Sequence, residues 1–159
     1  MPGATIEVAS RAELLDALEK ATGGETILLA GGDYGSLWLN GRTGHFNYDT
    51  TVTLGLRDDA DPAVLTGLGL TDIRNLTFDG IDFDYDFAPG DRLTETPFRI
   101  NGGANIKIHN AEITGDVAQD LDPLSDGYPS GFGLFVSGTQ GVELVDSTIS
   151  AFMRGAVFK

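Results

Sequence analysis

The chain contains no cysteine, so neither a disulfide framework nor a thiolate metal site is available to it. Cations are scarce: ten Lys and Arg stand against 24 Asp and Glu, for a net charge of -14. Such a balance repels a phosphate backbone, and no basic stripe offsets it, which argues against a nucleic-acid partner. An acidic, well-solvated surface is its simplest explanation, and the same charge disfavours an acidic ligand except at a locally basic groove. No apolar run approaches the length of a membrane span, so no membrane partner is expected. Met1-Pro2-Gly3 leads straight into an acidic start, without the basic and apolar regions of an N-terminal signal peptide.

Glycine is plentiful, at 22 of 159 residues, which indicates many tight turns in a domain of ordinary size. The one clear helical signal lies near the start. Ser10-Arg11-Ala12-Glu13 has the form of a capping box, with serine accepting from the N3 amide and glutamate reaching back. Leu14, Leu15, Leu18 and Ala21 then fall on one helical face, and Gly23-Gly24 is expected to end the helix.

Beyond that point short alternating runs take over, and they align with one another. The spacing Leu70-x5-Leu76-x-Phe78-x4-Phe83 recurs as Ile100-x5-Ile106-x-Ile108-x4-Ile113, and again as Val136-x5-Val142-x-Leu144-x4-Ile149. A less regular copy has Leu37, Leu39, Val52 and Leu54, and a last one begins at Ala156 and Phe158. A repeated unit that cannot bury its own apolar face must stack on its neighbours. Alternation within each run specifies strands. The frame therefore predicts three strands per coil: a first at Phe98 to Ile100, a second at Ile106 to Ile108 and a third near Ile113. Between second and third strands the copies carry Gly80, Asn110 and Asp146, residue types that tolerate the left-handed backbone of a sharp bend. An antiparallel sandwich would not require this fixed frame.

The expected fold is all-β: a right-handed parallel β-helix solenoid of about five coils behind an N-terminal capping α-helix. It forms a single domain over 1–159, with strand and helix in 1–25 and coils in 26–159. Phe158-Lys159 falls one strand into a new coil, so the chain is expected to be truncated there. Its C-terminal coil is then expected to be covered by further coils or by another subunit, because open strand edges invite aggregation.

The chain thus resembles the pectin-lyase-like superfamily of right-handed parallel β-helix proteins. Its opening is similar to polysaccharide lyases of the alginate lyase and chondroitinase B type. There a segment like Ile6-Glu7-Val8-Ala9-Ser10-Arg11-Ala12-Glu13-Leu14 precedes one like Gly24-Glu25-Thr26-Ile27-Leu28-Leu29, and Asp33-Tyr34 falls where that family has a "GTY" or "GTW" turn. The resemblance covers nearly the whole chain and is specific for fold. For chemistry it is weak, because such a cap is shared by lyases, epimerases, hydrolases and non-catalytic spikes. It implies a polysaccharide ligand and an extracellular or cell-surface location.

In a strand the residue between two inward ones points out. The first strands therefore predict one outward column of Trp38, Gly69, Arg99, Phe135 and Val157. The long insertions Asp84 to Pro97 and Thr114 to Phe132 both return to the first strand and would wall that column. The resemblance implies that a glycan lies in such a groove. Trp38, Phe135 and Asn101 are the candidate substrate-binding residues, the alternative for the two aromatics being burial beneath the loops. Arg99 suits a uronate carboxylate and could stabilise an enolate in β-elimination or C5-epimerisation; its alternative is an ion pair with a loop aspartate. Arg154, Tyr85 and Tyr128 complete the catalytic candidates, whereas Lys107 and His109 fall on another side.

Asp82, Asp84 and Asp86 alternate along one segment and Asp116 opens the next wall, a set of hard oxygen ligands of the kind Ca²⁺ takes. Neither the EF-hand nor the nonapeptide calcium pattern is present. Paired carboxylates for glycoside hydrolysis are the competing use of these acids. The leading functional expectation is a module acting on an acidic polysaccharide, as a lyase, epimerase or hydrolase. A non-catalytic adhesion or spike module, or a purely structural interaction scaffold, are the alternatives.

Overall fold

A computed structural model describes residues 3–159. It is a three-sided parallel β-helix: each coil contributes one strand to each of three sheets, and every strand pairing within them is parallel. The first-strand sheet comprises Ser36–Asn40, Gly67–Thr71, Phe98–Asn101, Phe132–Ser137 and Arg154–Phe158. The second-strand sheet comprises Thr5–Val8, Thr26–Leu29, Asn47–Leu56, Arg74–Asp79, Ala104–His109 and Gln140–Val145. Gly32–Asp33, Ala63–Leu65, Asp82–Asp84, Glu112–Thr114 and Thr148–Ser150 form the third.

Register follows the apolar frame. Leu70, Ile100 and Val136 are successive partners, as are Leu76, Ile106 and Val142, then Phe78, Ile108 and Leu144, then Phe83, Ile113 and Ile149. Stacking equivalent residues at about 4.8 Å gives each column a continuous apolar contact surface. Phe78, Phe83, Phe98 and Phe152 meet successively edge to face, with centroids 5.7, 5.4 and 6.4 Å apart. That geometry sets the positive edge of one ring against the negative face of the next.

The corners are made by left-handed residues at equivalent places. Gly80, Asn110 and Asp146 have φ of 78°, 54° and 48° between second and third strands. Asn110 also donates from Nδ2 to Asp79 Oδ1 at 2.8 Å, which ties one corner to the next. A second ladder runs at the start of the second strand, where Asn105 Nδ2 donates to Asn75 Oδ1 and Asn75 Nδ2 to the Tyr48 carbonyl, each at 2.8 Å.

Helix α1, Arg11–Lys20, closes the N-terminal end of the core with Leu14, Ala17 and Leu18. Ser10 Oγ accepts from Glu13 N at 3.2 Å, while Glu13 Oε2 accepts from Ala9 N at 2.7 Å. The helix stops at Lys20, before the glycines expected to end it, and its C-cap Ala21 is extended. Gly23 answers a different demand: any side chain there would run into the backbone of Thr50. The buried Tyr48 joins helix to coils by donating its hydroxyl to the Leu18 carbonyl at 2.8 Å.

Candidate functional site

The outward column of the first-strand sheet is fixed by register. Trp38 pairs with Gly69, Gly69 with Arg99, Arg99 with Phe135, and Phe135 with Val157. The alternative of burial does not hold for Trp38, which is 59% exposed. Its indole lies across Gly69, where a methyl group would overlap the ring. Glycine on the second coil is therefore what lets the indole lie down along the sheet. Trp38 thus covers two coils with one flat apolar surface.

Arg99 is exposed, and among the described residues it has no ion-pair partner. Its guanidinium lies 5.9 Å from the centroid of Phe135, and Lys159 Nζ lies 5.5 Å from the same centroid. Lys159 is held in line by a bond from its N–H to the Val136 carbonyl at 2.9 Å, and by its carbonyl accepting from Gly138 N at 3.0 Å. Sequence reasoning passed over this cation, although it has the outward parity of Val157. A parallel polar column of Asn40, Thr71, Asn101 and Ser137 flanks these residues. None of the five strands of this sheet contains an aspartate or glutamate, whereas both other sheets do.

Two more cations border the face. Arg11 donates from Nε and Nη2 to the Ser36 carbonyl, at 3.1 and 3.0 Å, and Arg42 is paired with Asp72. Arg154 pairs with Phe132 and alternates with the outward Val157, so it stands at the corner, not within the column. There its guanidinium sits 5.6 Å from the Phe132 ring.

The insertions form two walls fastened to each other. Gly131 N and Phe132 N donate to the carbonyls of Leu93 and Glu95, both at 2.8 Å, and Phe87 N donates to Asp116 Oδ2 at 2.9 Å. Within the first wall Phe83, Tyr85 and Phe87 are buried while Asp84 and Asp86 are exposed. Tyr85 therefore serves the wall: its hydroxyl donates to Asp91 Oδ2 at 2.6 Å. Burial, and then the Asp91 bond and charge, push its ionisation far above the usual phenol range. A general acid must reach the reacting atom, which this buried hydroxyl does not. Tyr128 is exposed instead, lining an apolar hollow with Leu93, Leu124, Phe152 and Met153.

The acidic candidates are not gathered into a cage. Asp82 Oδ1 accepts from Glu112 N at 3.0 Å, and Asp116 is engaged by Phe87 and Val117 amides. Partial burial, then the charges of Asp86, Asp116, Asp33 and Asp82, raise the pKa of Asp84 above the ordinary carboxylate value. Among the described residues no group of three or more potential ligands is close enough to hold a metal ion. Lys107 and His109 lie on the second-strand sheet beside Glu143, at 3.6 and 3.4 Å. A hollow of about 760 Å³ also lies off the first-strand face, at the corner lined by Thr26, Leu28, Gly55, Asp79 and Asp82.

No family model, curated protein or solved structure matches the chain. Among the described residues the first-strand face combines a flat indole, two cations without an ion-pair partner and a row of amide and hydroxyl groups, and the two insertions lead into its strands at one corner. Such a surface can stack the apolar side of a pyranose, pair with its anionic substituents and hydrogen-bond its hydroxyls.

Proposed function

We propose that this chain is a polysaccharide-recognising β-helix module of pectin-lyase-like type, and that an acidic glycan lies along its first-strand face. One observation carries the reading. A chain with 24 acidic residues keeps all of them off the five strands of this sheet, while exposing Arg99, Lys159 and Trp38 there. Local charge of this kind offsets the repulsion that a net charge of -14 would otherwise exert on an anionic ligand. Coils stacked at about 4.8 Å make the column from Trp38 to Phe135 as long as a few sugar units.

Lyase or epimerase chemistry would use Arg99 to stabilise an enolate, with the exposed Tyr128 of the second wall as the acid–base group and Arg154 at the corner as a further cation. The non-catalytic reading is favoured by a specific feature: the strands of the face contain no histidine, tyrosine, aspartate or glutamate. Binding is accordingly the part of the proposal that the geometry supports best. Incubation with alginate, pectate and chondroitin, with and without calcium, tests both parts. Absorbance of an unsaturated uronate product would make the module a lyase. Retained binding with no product and no change of sugar configuration would make it a binding module. Affinity appearing only with calcium would implicate Asp84 and Asp86 in recruiting an ion together with ligand carboxylates. Absence of binding to all three would contradict the proposal.

A further inference from the structure

Three large apolar side chains that face solvent, Leu124, Tyr128 and Met153, line one hollow of about 430 Å³ together with the half-buried Leu93 and Phe152. Clustered exposure of this kind on a surface otherwise rich in carboxylates marks a contact site. The exposure is not that of a loose loop. Asp122 Oδ1 accepts from Leu124 N and Ser125 N at 2.8 and 2.9 Å, and Asp126 Oδ1 accepts from Leu121 N at 3.0 Å. Beneath this turn Ala118 N donates to the Tyr128 carbonyl and Gly127 N to the Ala118 carbonyl, both at 2.9 Å. Leu124 is thus held out, 86% exposed, on a turn already tied before anything binds. Charge around the hollow is one-sided. Asp91, Glu95, Asp122 and Asp126 lie within two positions of its lining along the chain, against Arg92 and Arg154. Arg154 is turned to the Phe132 ring, 5.6 Å away. Hydrogen bonds from Ser125 and the Leu124 amide hold the Asp122 carboxyl below its ordinary range, so it stays charged well into acid.

We infer that the hollow docks a basic peptide segment of another protein. The segment inserts a leucine- or phenylalanine-sized side chain between Leu124, Tyr128 and Met153, and sets flanking lysines or arginines against Asp122 and Asp126. An apolar anchor in a pocket supplies affinity to a short segment, and charges at the rim select which segment enters. The thioether of Met153 adapts to an anchor of either shape. An acidic segment would meet like charge at the rim. So would a second copy of this chain, whose net charge is -14. The inference is independent of what the first-strand face binds.

Calorimetric titration of the intact chain with three capped peptides of equal length, in low-salt buffer, tests this. The first carries a central leucine–phenylalanine pair flanked by lysine and serine. The second has glutamate in place of lysine, and the third has alanine in place of the apolar pair. The first is expected to bind about tenfold more tightly than either of the others. Leu124→Ser should weaken it about tenfold, as for an apolar contact removed, with an unchanged melting curve because that side chain is exposed. Asp126→Asn, which keeps an acceptor for Leu121 N, should weaken it about two- to fivefold, the size of one exposed charge pair. Equal affinity for the lysine and glutamate peptides, unchanged affinity in Leu124→Ser, or no binding of the first peptide would each overturn the inference. Sedimentation showing a dimer of the parent that Leu124→Ser abolishes would make a second copy the occupant, and would overturn it as well.

Discussion

Trp38 is useful to a ligand only because Gly69 lies beneath it. In Gly69→Val the branched side chain would displace the indole from the sheet, although the backbone could still pair. Glycan affinity should fall by a factor similar to that of Trp38→Ala, with little change in thermal midpoint. A titration paired with a melting curve separates these effects, and full affinity in Gly69→Val would show that the indole need not lie flat. Asn110 makes a different residue-level demand. Its φ of 54° and its bond to Asp79 are both lost to an unsuitable side chain. Asn110→Ala should cost about 1–2 kcal/mol in denaturant unfolding. Asn110→Gly should cost less, because only the hydrogen bond goes. Equal losses in the two variants would mean that left-handed strain is not the cause.

At the scale of elements, the apolar frame made the three sheets and their register legible, because inward residues of one coil must meet those of the next. Leu70, Ile100 and Val136 illustrate this: each is apolar, equally spaced from the next strand, and paired as the frame requires. The strands Gly32–Asp33 and Ala63–Leu65 escaped detection, since two or three residues between turns carry too little alternation. The walls were legible as insertions but not as surfaces. Nothing in the order Asp82-Phe83-Asp84-Tyr85-Asp86 says that the Tyr85 hydroxyl turns inward to Asp91. Spacing put Lys159 at outward parity one coil after Phe135, but could not show that its ammonium turns back toward that ring.

The acidic wall also makes a pH prediction. The folded-state pKa of Asp84 is raised, so the native chain holds that proton more tightly than the unfolded one. Stability from this group is therefore greatest below the unfolded carboxylate pKa and falls as pH rises through the folded value. Asp84→Asn should be more stable than the parent at neutral pH, with the difference vanishing in acid. Because Asp84 is exposed, added salt should shrink the gain. Thermal melts across acid-to-neutral pH would measure this, and a variant less stable than the parent at neutral pH would mean that Asp84 has a favourable partner.

For the whole molecule, the separation of charge matters more than its sum. Most carboxylates lie on the walls, the corners and the other two sheets, and the resulting self-repulsion should be relieved by salt, raising the melting midpoint moderately. Salt should act on ligand binding in the opposite sense, since it screens Arg99 and Lys159 from an anionic chain. The central claim is that recognition resides on this one side of the solenoid. Its most direct test is a low-salt calorimetric titration of an acidic oligosaccharide against parent, Arg99→Ala and Lys107→Ala proteins. Arg99 faces the column, whereas Lys107 is equally cationic but belongs to the second-strand sheet beside Glu143. The account predicts severalfold weaker binding for Arg99→Ala and unchanged binding for Lys107→Ala. Equal losses in both, or a loss only in Lys107→Ala, would contradict it.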